Sequence, residues 1–176
     1  MDTNDREQML KMLAESREAL FAAAASISDE QARIRPAPDQ WSVLDCVEHV
    51  AIAEHFMLTT IATKSAPAPP PEDRAREELF LCEIVNRAKK ISAPERAHPT
   101  GRFPTLAAAL EQFNQSRART IEYVKHCDKD LRAHTAPHIV FGPITVQEFL
   151  IVIALHPARH AAQIREVRET LGLASR

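Results

Sequence analysis

"TVQEFLIVIALHPARHAAQIREVRETLG", residues 145–172, reads as one long buried helix that carries two histidines where leucine would pack better. Thr145 followed by Glu148 forms a capping box, a hydroxyl and a carboxylate that satisfy amides left free at a helix start. Phe149, Ile153, Ile164, Val167 and Leu171 recur on one side of a 3.6-residue helix, and Gly172 supplies the left-handed stop. Four residues advance a helix by about 400°, so His156 and His160 lie about 40° apart and about 6 Å along the axis. They fall on the apolar side and face the interior. Pro157, directly after the first of them, removes the amide that would bond the Ile153 carbonyl and is expected to kink the helix there.

Upstream, the same periodicity recurs three times. Met9, Leu10, Leu13, Leu20 and Phe21 mark a first helix from Thr3 to about Ser26. Ser28 with Gln31 gives a small capping signature, and "RPAPDQ" at 35–40 ends that segment as a turn or single helical piece. Ser42 with Asp45 caps a second long helix that runs to about Thr63. "SAPAPPPED" at 65–73 is a proline-rich connector, and an amphipathic stretch from Arg74 to about Ile91 predicts a short extra helix. After a broken segment at 92–104, Thr105 caps the third long helix, from Leu106 to about Cys127. The stretch "DKDLRAHTAPHIVFGP" at 128–143 reads as loop. The expectation is an all-α, up-down four-helix bundle in one domain over residues 1–176, with the extra helix between the second and third long ones.

Composition agrees. In 176 residues, 45% hydrophobic, there are 3 glycines and 5% aromatics, little of the turn and aromatic chemistry that sheets need. Twenty-two basic against 24 acidic residues leave a formal charge of −2, which supplies no broad positive field for nucleic acid. The opening "MDTNDREQML" lacks a leader's basic and apolar regions, and the longest apolar run, "FLIVIAL" at 149–155, is too short to span a bilayer. A soluble, cytoplasmic protein without membrane partners is expected. Cys46, Cys82 and Cys127, odd in number and without a CxxC, read as small buried residues.

Spacing alone says little about the histidines, because eight in 176 residues give about 0.4 chance pairs four apart. His134 and His138 have the same spacing, but "HTAPH" contains Pro137 and lacks apolar periodicity, so no shared helical face follows. The second long helix offers a third inward imidazole in His49, on the side of Cys46, Ala53 and Phe56. His55, rotated about 240° from it, reads as a surface or boundary residue. Three neutral imidazoles suit a borderline divalent ion such as zinc or nickel and leave positions open for water or substrate. The same pattern also fits core histidines satisfied by carbonyls or carboxylates.

At these residues the sequence resembles the DinB superfamily, the DinB and YfiT-like four-helix-bundle proteins of bacteria. The features are "WSVLDCVEHVAIAE" at 41–54, with a histidine eight after the tryptophan, "PTLAAALEQFNQSRARTIEYV" at 104–124, and "GPITVQEFLIVIALHPARHAAQI" at 142–164. The resemblance covers roughly residues 5–172. It implies a three-histidine metal site at His49, His156 and His160. It further implies a small-thiol-dependent S-transferase in which a metal-held thiolate attacks an electrophile, with low-molecular-weight thiols such as bacillithiol or mycothiol as partners. Two alternatives stand beside it: a metal-dependent hydrolase, and a non-catalytic metal- or ligand-binding stress protein.

Residues around the ligands have divided readings. Asp45 and Gln163 could accept from ligand imidazoles, or be a cap and a solvated side chain. Glu48 and Arg159 adjoin ligands in sequence but point elsewhere, and either could shape the substrate pocket. Trp41 either staples the entry of the second helix or walls the pocket. Apolar surface on such a bundle would also support a homodimer.

Overall fold

A computed structural model describes residues 1–89 and 91–173 of the chain; Lys90 and residues 174–176, which fall within the expected extra helix and single domain respectively, lie outside the described residues. Four long helices form where the apolar periodicity and caps place them: α1 (Thr3–Ala24), α3 (Val43–Lys64), α5 (Leu106–His126) and α6 (Val146–Thr170). A single turn, α2 (Asp29–Ala32), follows the first, and α4 (Ala75–Glu83) lies between the second and third. The capping boxes at Ser28/Gln31, Ser42/Asp45 and Thr145/Glu148 are all formed, and Thr105 accepts from the Ala108 amide. Gly172 ends α6 at a φ of 65°, which only glycine adopts without strain.

Around the bundle the order is α1–α6–α3–α5, so the first two long helices lie diagonally and α3 packs directly on α6. That adjacency brings His49 toward His156 and His160. The core is lined by Met9, Leu13 and Leu20 of α1 and by Phe149, Leu150, Ile153 and Ile164 of α6, each at most 2% exposed. No helix among the described residues is long and apolar enough to cross a membrane.

Three local expectations are corrected. The stretch read as loop at 128–143 contains most of a hairpin, β2 (His134–His138) and β3 (Gly142–Thr145), and the proline-rich connector adds a short edge strand, β1 (Ala66–Pro67). Pro137 opposes Pro143 in this sheet, so the two residues that lack amide donors face each other. Helix α4 stops at Glu83, after which one local and two tertiary bonds take over: the Asn86 side chain accepts from the Ala88 amide, and Arg159 donates to the Ile84 and Asn86 carbonyls. Cys82 is exposed, whereas Cys46 and Cys127 are buried as expected.

Helix α6 runs continuously through Pro157. The carbonyl that Pro157 leaves without its helical donor, that of Ile153, accepts from Arg117 Nη2 of α5 at 3.3 Å. Arg117 is itself 1% exposed and donates to the Glu54 carboxylate of α3 at 2.9 Å through both Nε and Nη2. Its Nη1 reaches the Leu13 carbonyl and the Ser16 hydroxyl of α1 at 2.7 and 3.1 Å. Thr120 donates the remaining bond to Glu54. One guanidinium therefore touches all three other long helices.

Removing it alone strands a buried carboxylate. Arg117→Met should lower unfolding free energy by about 3–5 kcal/mol in denaturant titrations, and the double variant Glu54→Leu/Arg117→Met should recover most of that. A single-variant loss below about 1 kcal/mol would contradict this role.

Candidate metal centre

His49 enters from α3, and His156 and His160 enter from α6 one turn apart. His156 Nε2 lies 3.2 Å from His49 Nε2 and 3.1 Å from His160 Nε2. One nitrogen from each ring lies within 4.8 Å of the other two, so this group can hold a metal ion. Zinc–nitrogen bonds of about 2.0–2.1 Å place ligand nitrogens about 3.4 Å apart in a tetrahedron and about 3.0 Å apart at adjacent octahedral positions. The two short separations fall between those values.

Hydrogen bonding supports the same arrangement. His49 Nδ1 lies 2.7 Å from the Ala97 carbonyl, which can only accept, so Nδ1 carries the proton and Nε2 presents a bare lone pair to the cluster. A proton on His156 Nε2 could bridge toward a neighbour but would leave the third lone pair facing nitrogen; a cation engages all three. His156 Nδ1 and His160 Nδ1 are buried with no protein partner, so the protein itself orients only the His49 ring by an outer hydrogen bond. Burial lowers the His49 pKa to about 4, against the opposing pull of the Ala97 carbonyl. The pKa values of His156 and His160 fall well below the ordinary imidazole value, first through burial, then through the charge of His49 on His156 and of His156 and His49 on His160. All three are neutral at pH 7, the form that binds metal.

These rings floor an open cavity of about 650 Å³. Trp41 walls it, its ring 4.8 Å from that of His49 and stacked at 22° on that of His160, 6.1 Å away. The ring order is held from behind by Glu48, which is 1% exposed and accepts from the Thr100, Gly101 and Arg102 amides at 2.7 to 3.1 Å. That grip fixes the segment that carries Ala97.

The remaining expected residues take other positions. Asp45 caps α3 through the Ser42 amide and binds Arg35, and has no bond to an imidazole. Gln163 lies on the cavity wall, where its Oε1 accepts from Arg87. Arg159 borders the cavity while its guanidinium clasps the Ile84, Asn86 and Lys89 carbonyls. His55 is exposed, as its rotation predicts. Sequence reasoning passed over His138, which lines the cavity from β2, and the Ala97 carbonyl. Period-two spacing in "HTAPH" could have flagged the first; a backbone acceptor leaves no side-chain signal.

Fold and site together define a four-helix bundle with a candidate three-imidazole metal centre at the base of a cavity. The chain belongs to the DinB superfamily, whose profile matches residues 12–164. It is similar to YuaE of Bacillus subtilis, 22% identical over 162 residues, which covers 92% of this chain and 98% of that protein. Among solved structures it resembles YfiT from Bacillus subtilis, described as "a probable metal-dependent hydrolase with an unusual four-helix bundle topology", at TM-score 0.64 and 18% identity over 98% of this chain and 90% of that one. A conserved protein from Enterococcus faecalis matches at TM-score 0.68 and 13% identity, over 99% of both chains. TT2238, described as a four-helix bundle protein, matches at TM-score 0.61 and 21% identity, over 92% of this chain and 98% of that one.

Buried neutral imidazoles make stability depend on pH. An unfolded histidine titrates near 6.5 and folded His49 near 4, so on acidification the unfolded chain takes up the proton first. Stability of the metal-free protein should be fully present above pH 6.5 and fall steadily toward pH 4, read as urea midpoints. A His49→Leu variant should show a shallower fall; equal slopes would contradict the assignment.

Proposed function

We propose that the protein is a metal-dependent enzyme, a small-thiol-dependent S-transferase, in which His49, His156 and His160 hold a divalent zinc or nickel ion. The observation that carries this reading is the convergence of three Nε2 atoms, two of their separations 3.1 and 3.2 Å, at the floor of an open cavity. A divalent ion bound there supplies Lewis acidity that ionises a thiol or water near neutral pH.

The chain's own groups do the rest. Because all three donors are neutral, the site keeps a positive charge and favours an anionic reactant. The Ala97 carbonyl holds His49 in the ligating tautomer. Trp41 shields the rings from bulk water. A cavity of about 650 Å³ has room for a small thiol beside an electrophile. Among the described cavity-lining residues the carboxylates are Asp39, which is exposed, and Glu166, which binds Arg87 at 2.6 Å. No buried carboxylate stands by as general base. An ionised thiol attacks without a general base, so this lining is compatible with the transferase reading.

The description of YfiT favours a second reading, hydrolysis at the same site. Assays with the zinc- or nickel-loaded protein, a chromogenic electrophile, and bacillithiol, mycothiol or no thiol separate the two. The expected outcome is conjugation that requires both thiol and metal and is lost in His160→Ala along with the bound ion. Thiol-independent turnover would establish the hydrolase instead. Bound metal without turnover on either substrate class would overturn both enzymatic readings, and unchanged metal content in His160→Ala would refute the ligand set.

A further inference from the structure

The cavity lining carries a cation with no anion beside it among the described residues. Arg96, in the 3-10 turn at Glu95–Ala97, lines the cavity with its guanidinium 5.8 Å from the centroid of the Phe56 ring. It makes no ion pair or hydrogen bond with any described residue. Its charge also reaches His138, since after burial it is the second cause lowering that imidazole's pKa to about 4. Arg96 and His138 both line this cavity.

His138 presents a donor to that space. Its Nδ1 accepts from the Val140 and Phe141 amides at 3.1 and 3.3 Å, so the neutral ring carries its proton on Nε2. That Nε2 has no protein partner among the described residues. Phe141 and Phe149 hold the ring in place, with centroids 4.8 and 4.9 Å away. The surrounding surface is apolar. Phe56, Met57 and Phe141 line the wall, and Ile91, Ile139 and Val140 leave 45%, 58% and 43% of their surface exposed at the rim.

We infer that the cavity binds an amphipathic monocarboxylate, its carboxylate held by Arg96 and His138 Nε2 and its apolar body lying on Phe56, Met57 and Phe141. Among the described residues that line the cavity, a single free guanidinium matches one negative charge. A dianionic phosphate would need a second cation, and the other guanidiniums on the wall are committed: Arg87 to Glu166 and Gln163, Arg159 to backbone carbonyls. The inference specifies the second reactant of the S-transferase reading and rests on it for the reaction. Carboxylate binding itself does not require the metal.

Trp41, the chain's only tryptophan, lines this cavity and reports on its occupancy. The experiment titrates Trp41 fluorescence in the chelator-stripped, full-length protein with 4-phenylbutyrate, its neutral amide 4-phenylbutanamide, and phenylbutyl phosphate. The carboxylate should bind about ten-fold tighter than the amide at low salt, a preference that shrinks as ionic strength rises. Arg96→Gln should abolish the preference, weakening binding of the acid about ten-fold and of the amide much less, and Arg96→Lys should restore part of it. Arg96 is exposed, so these variants fold normally.

Three results would overturn the inference: equal affinity for acid and amide, a preference that survives Arg96→Gln, or tighter binding of the phosphate. A preference seen only after zinc is restored, and untouched by Arg96→Gln, would assign the carboxylate to the metal and also overturn it. Failure of the protein to bind metal would sink the enzymatic reading while leaving the metal-free titration decisive for this one.

Discussion

A single buried guanidinium sets the geometry on which the site depends. Arg117 binds Glu54 of α3, the Leu13 carbonyl and Ser16 hydroxyl of α1, and the Ile153 carbonyl of α6. Every group it donates to is fixed on a different helix from its own, so sliding any one helix along the bundle breaks a charge-assisted bond in the buried interior. Five residues before Glu54 lies His49; three after Ile153 lies His156. The relative height of the two histidine-bearing helices is thus held close to the metal centre. Pro157 fits into this scheme, because the carbonyl it leaves unbonded is the one Arg117 takes.

Around that frame, the site is completed by a segment with little regular structure. Glu48 gathers three successive amides of residues 100–102, and the same connector delivers the Ala97 carbonyl to His49 Nδ1 and the Arg96 side chain to the cavity wall. The β2–β3 hairpin contributes His138 and Phe141 to the lining of the same cavity. The helices supply nitrogen donors whose positions must be accurate, and the connectors supply the groups that meet a substrate. That division follows from rigidity: helix packing fixes atoms to a fraction of an ångström, while connectors vary without disturbing the core.

The four long helices were legible because each carries an apolar stripe and three of them also a chemically specific start at Ser42, Thr105 or Thr145; the Asp2 cap of α1 is seen only in the structure. His49, His156 and His160 were legible for the same reason, as polar residues on apolar stripes. The Arg117 position carried that signal too, one helical turn after Phe113 and one before Thr120, yet a charged residue in a helix reads first as solvated. The hairpin was hidden because its prolines resemble loop, and the edge strand β1 because it pairs with residues nearly 70 positions away. The roles of Asp45 and Gln163 were not fixed by sequence, since a carboxylate one turn from a histidine serves equally well as a cap. Nothing in the sequence marks Ala97, whose contribution is a carbonyl oxygen.

The central claim is that three Nε2 atoms share one ion. Crystals of the protein prepared with zinc, measured on both sides of the zinc absorption edge, test it most directly. The account predicts one anomalous peak per chain, about 2.0–2.1 Å from Nε2 of His49, His156 and His160. A peak at other residues, or three imidazoles hydrogen-bonded among themselves with no peak between them, would contradict it.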